Sequence, residues 1–120
     1  MMTECLGQSD VKELAESTLA TFDQEVAALP RDLSVPFNQV AMRLEAELLT
    51  IYKFVVRIVR REDDLAEIAR WWGTMVFQCD AFARRLHDLA VAHPSCGAGF
   101  FYDRVLDLRN KCLRLQEMHS

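Results

Sequence analysis

Apolar residues recur every three or four positions along most of this chain, and that spacing is typical of amphipathic helices rather than strands. In the first such segment Asp10, with Glu13 three residues later, is typical of a helix start, and Pro30 of a helix end. The pattern predicts a first helix over about 10–29.

The second segment contains IYKFVVRIV, whose β-branched and aromatic residues would favour a strand on propensity alone. Its polar residues recur at steps of three or four, however, and so form one stripe along a helix. They are Arg43, Glu47, Thr50, Lys53, Arg57 and Arg61. With Ser34 as a cap and Pro36 in the first turn, the pattern predicts a helix over about 35–61. Because Leu49 and Val56 point in a second apolar direction, we expect this helix to touch two or more partners.

Two further helices follow. Asp64 with Glu67 predicts another capped start, which gives a third helix over about 64–93 that Pro94 ends. After the loop PSCGAG, apolar residues at helical spacing predict a fourth helix over about 99–118.

Length and composition bound the architecture. A chain of 120 residues suits one domain, 1–120, and 4 Gly and 3 Pro leave few turns. Helices joined by loops this short run antiparallel to their neighbours. We therefore expect an all-α fold, an antiparallel up-down-up-down four-helix bundle with a longer central helical hairpin.

Charge and apolar run lengths narrow the class of protein. A net charge of −4 argues against a general nucleic-acid binder, whose domain is normally basic. The first ten residues lack a basic region followed by an apolar one, and no run approaches the roughly 20 apolar residues of a membrane helix. We expect a cytoplasmic protein that does not bind membranes.

One uncharged run, WWGTMVFQC at 71–79, stands out in a chain that is 27% charged. Because the predicted outer helices are shorter than the middle pair, residues 56–73 would protrude beyond them as an apolar tip. The tip predicts an interface with a second copy, or with another protein, that also includes Phe77 from the outer arc of the third helix. The predicted interface residues are Val56, Val59, Ile68, Trp71, Trp72 and Phe77.

Two alternatives would leave the tip without a partner. The N-terminal ten residues, which include Met1, Met2 and Leu6, could fold back over it. Alternatively, the true helix ends could differ from the predicted ones by a turn.

Several polar residues fall on or beside apolar helix faces, where charges are seldom buried alone. Two interpretations are open: a small-molecule site inside the bundle, or ion pairs that fix helix register. The pairs would join Asp80 to Arg84, and Glu25 or Glu45 to Arg104 or Arg109. The candidate ligand residues are Glu25, Glu45, Tyr52, Asp80, His87 and Arg104.

We find no catalytic motif and no metal motif. Di-iron bundles use Glu-x-x-His, which does not occur here. His93 and Cys96 form a lone H-x-x-C, too few ligands for zinc. Cys5, Cys79 and Cys112 are widely spaced, so we expect buried reduced thiols. Because no catalytic or metal motif is present, we also expect no cofactor and no enzyme activity.

One basic stripe remains, formed by Lys53, Arg57, Arg60, Arg61 and Arg70. We interpret the chain as a non-catalytic helical bundle that acts through protein contacts, as a homodimer, an adaptor or a small subunit of an assembly. The alternative is a module that binds a small molecule in the bundle interior or nucleic acid on the basic stripe.

Overall fold

The computed structural model describes residues 7–31, 33 and 35–119. These residues form four α-helices, one short 3₁₀ turn and no strand. The helices are α1 (Gln8–Ala27), α2 (Val35–Val59), α3 (Leu65–Ala92) and α4 (Ala98–Met118), and the 3₁₀ turn is Pro94–Cys96. The all-helical class is thus confirmed for the described residues, and each helix ends within two residues of its predicted limits.

The start of α1 differs from the prediction. Gly7 is the N-cap residue, and its backbone N–H donates to Oδ2 of Asp10 at 2.9 Å. Asp10 is therefore the third residue of the helix and not its cap, so the predicted pairing with Glu13 is wrong. An acidic side chain in the first turn still stabilises this end, because it faces the unpaired N–H groups and the positive end of the helix dipole.

The predicted starts of α2 and α3 agree better with the structure. Pro36 lies in the first turn of α2, where its missing N–H costs no hydrogen bond. Ser34, the predicted cap, lies outside the described residues. Asp64 caps α3, since its Oδ1 accepts from the N–H of Ala66 at 3.0 Å.

The α3–α4 connection turns at Gly97, whose φ of 86° lies in the left-handed region that favours glycine. A Cβ at this position would lie 3.2 Å from Oδ1 of Asn38. Gly97 therefore lets the chain reverse close to α2.

A single apolar core joins all four helices. Near one end of the molecule Phe22 and Phe37 pack edge to face with ring centroids 6.5 Å apart, and Phe37 packs in the same way on Phe101 at 6.2 Å. The Cα atoms extend 49 × 31 × 16 Å, and the smallest value corresponds to two layers of helices packed about 10 Å apart. Among the described residues, no helix combines the length and apolar character needed to cross a membrane.

Candidate functional site

The structure corrects the predicted apolar tip. Ile68, Trp71 and Trp72 are only 7%, 4% and 3% exposed, so these three side chains belong to the core and present no surface to a partner. The ring of Trp72 lies 5.7 Å from that of Tyr52 on α2. Successive helical residues differ by about 100° in direction, which would place Trp71 at the margin of a helix face centred on Trp72, but α3 buries a wide arc because it packs against α1 as well as α4.

The other predicted interface residues lie elsewhere. Val56 and Val59 are half-buried against the core. Phe77 is 65% exposed, in agreement with its predicted place on the outer arc of α3. An interface that includes these three residues stays a prediction.

The predicted polar ligand residues do not form one site. Four of them instead take part in three separate ion pairs between helices, and a fifth, Tyr52, packs on Trp72. The pairs are Glu25–Arg43 at 2.7 Å, Glu45–Arg104, and Asp80–Arg109 at 2.9 Å. The Glu45–Arg104 pair agrees with the prediction, whereas the predicted Asp80–Arg84 pair is wrong. His87 lines the same groove as Asp80, and its ring lies 5.7 Å from that of Tyr102.

Sequence analysis missed the ion pair between Asp23 on α1 and Arg85 on α3, at 3.1 Å. Both side chains are charged and lie outside the apolar stripes, so periodicity alone assigns them to solvent. Only the placement of α1 beside α3 brings them together.

The basic stripe divides into two parts. Arg70 pairs with Glu67 at 2.6 Å, and the hydrogen bond and charge of Glu67 raise the pKa of Arg70. Lys53, Arg57, Arg60 and Arg61 are exposed and form no ion pair with another described residue. The guanidinium of Arg57 lies 5.7 Å from the centre of the Phe54 ring. Nucleic-acid binding by this stripe stays a prediction.

The described cysteines are buried free thiols, as predicted, and Cys5 lies outside the described residues. Burial, with smaller contributions from Cys112 and Asp80, raises the pKa of Cys79 to about 12, and burial raises that of Cys112 to about 11. His93 is exposed while Cys96 is buried, so the H-x-x-C pair does not form a common site. Among the described residues, no three His, Cys, Asp or Glu side chains gather into a metal-binding group.

The most extensive exposed apolar feature runs along α2. Val35 and Met42 are 63% and 62% exposed, Leu49 is 39% exposed, and Val56 is half-buried. These four residues are spaced seven apart, and residues at that spacing differ by only about 20° in direction, so they form one stripe. Sequence analysis had assigned Leu49 and Val56 to a second apolar direction, which was the available signal for this surface.

The stripe lies beside α4. Leu49 is one turn after Glu45, which pairs with Arg104, and one turn before Tyr52, whose ring lies 5.1 Å from Nζ of Lys111. On α4 the exposed apolar residues are Phe100, next to the guanidinium of Arg104 at 5.4 Å, and Met118. We call this surface the α2/α4 face, and it consists of Val35, Met42, Leu49, Val56, Phe100 and Met118.

Charges are distributed unequally along the α2/α4 face. Asp103 and Asp107 are exposed and share the side of α4 that carries Phe100, since they follow it by three and seven residues. Towards the other end most of the exposed charges are basic, and the exposed Glu117 lies among them beside Met118. The basic residues are Lys53, Arg57 and Arg60 on α2, and Lys111 and Arg114 on α4.

Comparisons with protein-family models, with curated proteins and with solved structures found no match to this chain.

Proposed function

We propose that this chain is a non-catalytic helical bundle that acts through protein contacts, and that it forms a homodimer through the α2/α4 face. The observation that carries the proposal is the stripe of four apolar residues at seven-residue spacing on α2, next to the exposed ring of Phe100. Contiguous exposed apolar surface of this kind marks interaction sites on proteins.

Cross-helix contacts support alternating helix directions within the bundle. As residue numbers rise along α3 they fall along α4, where Asp80 contacts Arg109 and His87 contacts Tyr102. The α1–α2 contacts behave in the same way, because Thr18 bonds Glu47 and Glu25 bonds Arg43. These pairs favour an up-down-up-down order.

Between α2 and α4 the residue numbers of contacting pairs rise in the same direction, from Glu45–Arg104 to Tyr52–Lys111, which favours parallel helices. With α2 and α4 parallel and Arg104 level with Glu45, Asp103 falls level with Leu44 and Asp107 with Leu48, on the Met42 side of Leu49. The basic residues would then lie at the end that carries Val56.

This charge distribution favours a second copy as the occupant. In a two-fold dimer with the two α2 helices antiparallel, the basic end of one face lies on the acidic end of the other. Opposite charges then meet at both ends, while apolar side chains meet near Leu49. Charge complementarity of this kind favours one partner over others and fixes the relative orientation of the two copies.

The size of the face is compatible with a dimer. From Val35 to Val56 α2 rises about 32 Å, and two helices side by side are about 20 Å wide. The face therefore offers on the order of 600 Å² per copy, close to the roughly 800 Å² of a standard specific interface.

Self-association is tested by measuring molar mass by light scattering over a dilution series from low to high micromolar concentration. We expect the natural chain to approach twice its 13.8 kDa monomer mass. Leu49→Glu should raise the dissociation constant at least about a hundredfold, because each dimer would bury two unpaired charges. Circular dichroism checks that the variant stays helical, which we expect since Leu49 is 39% exposed.

Phe77→Glu is the matched control. It makes the same kind of change at a 65% exposed apolar residue on the outer side of α3 and should leave the dissociation constant unchanged. A dimer that survives Leu49→Glu but is lost in Phe77→Glu would move the interface to α3 and contradict the proposal.

A further inference from the structure

A groove of about 430 Å³ lies between α1, α3 and α4, on a different side of the molecule from the α2/α4 face. We call it the Gly73 groove, after the residue at its floor. Its volume falls in the range of small-molecule sites, roughly 300–1,000 Å³. The residues of this groove that bear on ligand binding are Lys12, Arg70, Gly73, Phe77, Gln78 and Gln116.

Gly73 keeps the groove open to a polar side chain from α4. Glycine is, apart from proline, the residue least suited to a helix interior, yet Gly73 lies in the middle of α3. A Cβ at this position would lie 2.7 Å from Nε2 of Gln116. The glycine therefore leaves space that the amide of Gln116 occupies.

Gln78 places a second amide in the groove. Gln78 is only 3% exposed, and its side chain forms no hydrogen bond with another described residue. None of the fully buried side-chain nitrogen or oxygen atoms among the described residues lacks a partner, so the Gln78 amide is in contact with the groove and not sealed in the core. Its N–H donors and carbonyl acceptor are therefore available to a molecule in the groove.

Three unusual features thus converge on one place: a glycine within a helix, an amide that is accessible only from the groove, and the exposed ring of Phe77. Natural sequences break local rules of this kind chiefly at functional sites. All three come from the uncharged run at 71–79.

The charges of the groove indicate the class of ligand. Among the described residues, the charged side chains that line it are the cations Lys12 and Arg70. Arg70 is paired with Glu67, whereas Lys12 forms no ion pair with another described residue. One unpaired cation suits a monoanion, two amides supply further donors, and the Phe77 ring suits a flat apolar group.

We propose that the Gly73 groove binds a small molecule that carries one carboxylate beside a planar apolar group. The carboxylate lies at Lys12, the amides of Gln78 and Gln116 bond its oxygens or a neighbouring polar group, and the apolar part lies on Phe77. This binding is independent of self-association through the α2/α4 face.

Benzoate is the probe, with benzamide and benzamidinium as probes of the same shape and different charge. In an NMR titration of ¹⁵N-labelled protein, benzoate should shift the side-chain amide signals of Gln78 and Gln116 to saturation, with Kd on the order of 1 mM. Benzamide and benzamidinium should bind at least about tenfold more weakly. A benzoate titration without saturable shifts at these signals, or equal binding of benzamidinium, would overturn the proposal.

Three variants test whether benzoate binds in the groove. Binding to each variant is measured from the shifts of the backbone amide signals near Thr74. Gly73→Ala, Gln78→Met and Lys12→Met should each weaken benzoate binding at least about tenfold. Arg84→Met on α3 removes an exposed cation outside the groove and should leave binding unchanged. Equal binding by all four variants would contradict the proposal.

Stability separates loss of binding from loss of fold. Gly73→Ala displaces only the end of a flexible side chain and improves helix propensity, and Gln78→Met puts an apolar side chain of similar size at a position that is only 3% exposed. Both variants should therefore unfold at or above the melting temperature of the natural chain. If one of them unfolds at a lower temperature, the other and Lys12→Met still decide the question.

Discussion

Two thiols, those of Cys79 and Cys112, lie fully buried between α3 and α4. Their raised pKa values, about 12 and about 11, follow chiefly from burial, because a thiolate would lose its hydration there. Since the thiolate is the reactive form of cysteine, both side chains should behave as apolar core residues and not as nucleophiles.

Cys79 should make stability depend on pH in the alkaline range. An unfolded thiol loses its proton near its ordinary pKa of 9.0, whereas native Cys79 keeps its proton until about pH 12. The native state therefore binds more protons above pH 9, and the free energy of unfolding falls as the pH rises from 9 towards 12. Halfway through this window the loss due to Cys79 should be about 2 kcal/mol.

Urea denaturation below pH 9 and at the middle of the window measures this loss. Cys79→Ala lowers stability at both pH values by opening a small cavity, but its decrease between them should be smaller than that of the natural chain. An equal decrease in both proteins would show that Cys79 does not contribute.

Burial of single residues could be predicted from spacing only in part. The spacing identified Trp72, Met75 and Cys79 correctly as core. It placed Trp71 at the margin, because a single helix does not reveal that its neighbours enclose more than one face. Leu65 lies on the same helical stripe as Trp72, Met75 and Cys79 but is 60% exposed.

At the scale of elements, a local hydrogen bond to the capping residue Asp64 fixes the start of α3. The carboxylate accepts the N–H of Ala66, which would otherwise lack a partner at the helix end. The connection from α2 contains no glycine or proline, so this cap and the acidic residues before it separate the two helices.

Asp64→Ala should lower the free energy of unfolding by about 1 kcal/mol, the typical cost of losing an N-cap. Chemical denaturation of both proteins measures the difference. Asp63→Ala, which removes the same charge from the neighbouring exposed residue, should cost clearly less. If the two substitutions cost the same, the charge and not the hydrogen bond stabilises this helix start.

Helix number and limits could be predicted because they depend on local signals such as apolar periodicity, prolines and caps. The start of α1 was mistaken because Gly7 has no side chain to mark it as a cap. The candidate sites were harder to predict. The Gly73 groove depends on the meeting of three helices, and ion pairs such as Asp23–Arg85 depend on which helices become neighbours.

At the scale of the whole molecule, we propose that the α2/α4 face combines an apolar stripe with opposite charges on the two sides of Leu49. With α2 and α4 parallel, Asp103 and Asp107 fall level with residues 44 and 48, whereas Lys53 and Arg57 follow Leu49 along α2. Two copies of such a surface can bind each other across a two-fold axis, because the acidic end of one copy then lies on the basic end of the other. The net charge of −4 alone gives no sign of this arrangement.

Charge reversal tests this account most directly. One variant carries Asp103→Lys and Asp107→Lys, and the other carries Lys53→Glu and Arg57→Glu. Each variant alone would place like charges together at both ends of the dimer, whereas an equal mixture would restore opposite charges at both ends.

Sedimentation velocity at low salt, where surface charges are least screened, gives the result. We predict that the natural chain sediments as a dimer, that each variant alone sediments as a folded monomer, and that the mixture sediments as a dimer. If both variants alone remain dimers, or if the mixture stays monomeric while the natural chain is a dimer, the α2/α4 face is not the two-fold interface.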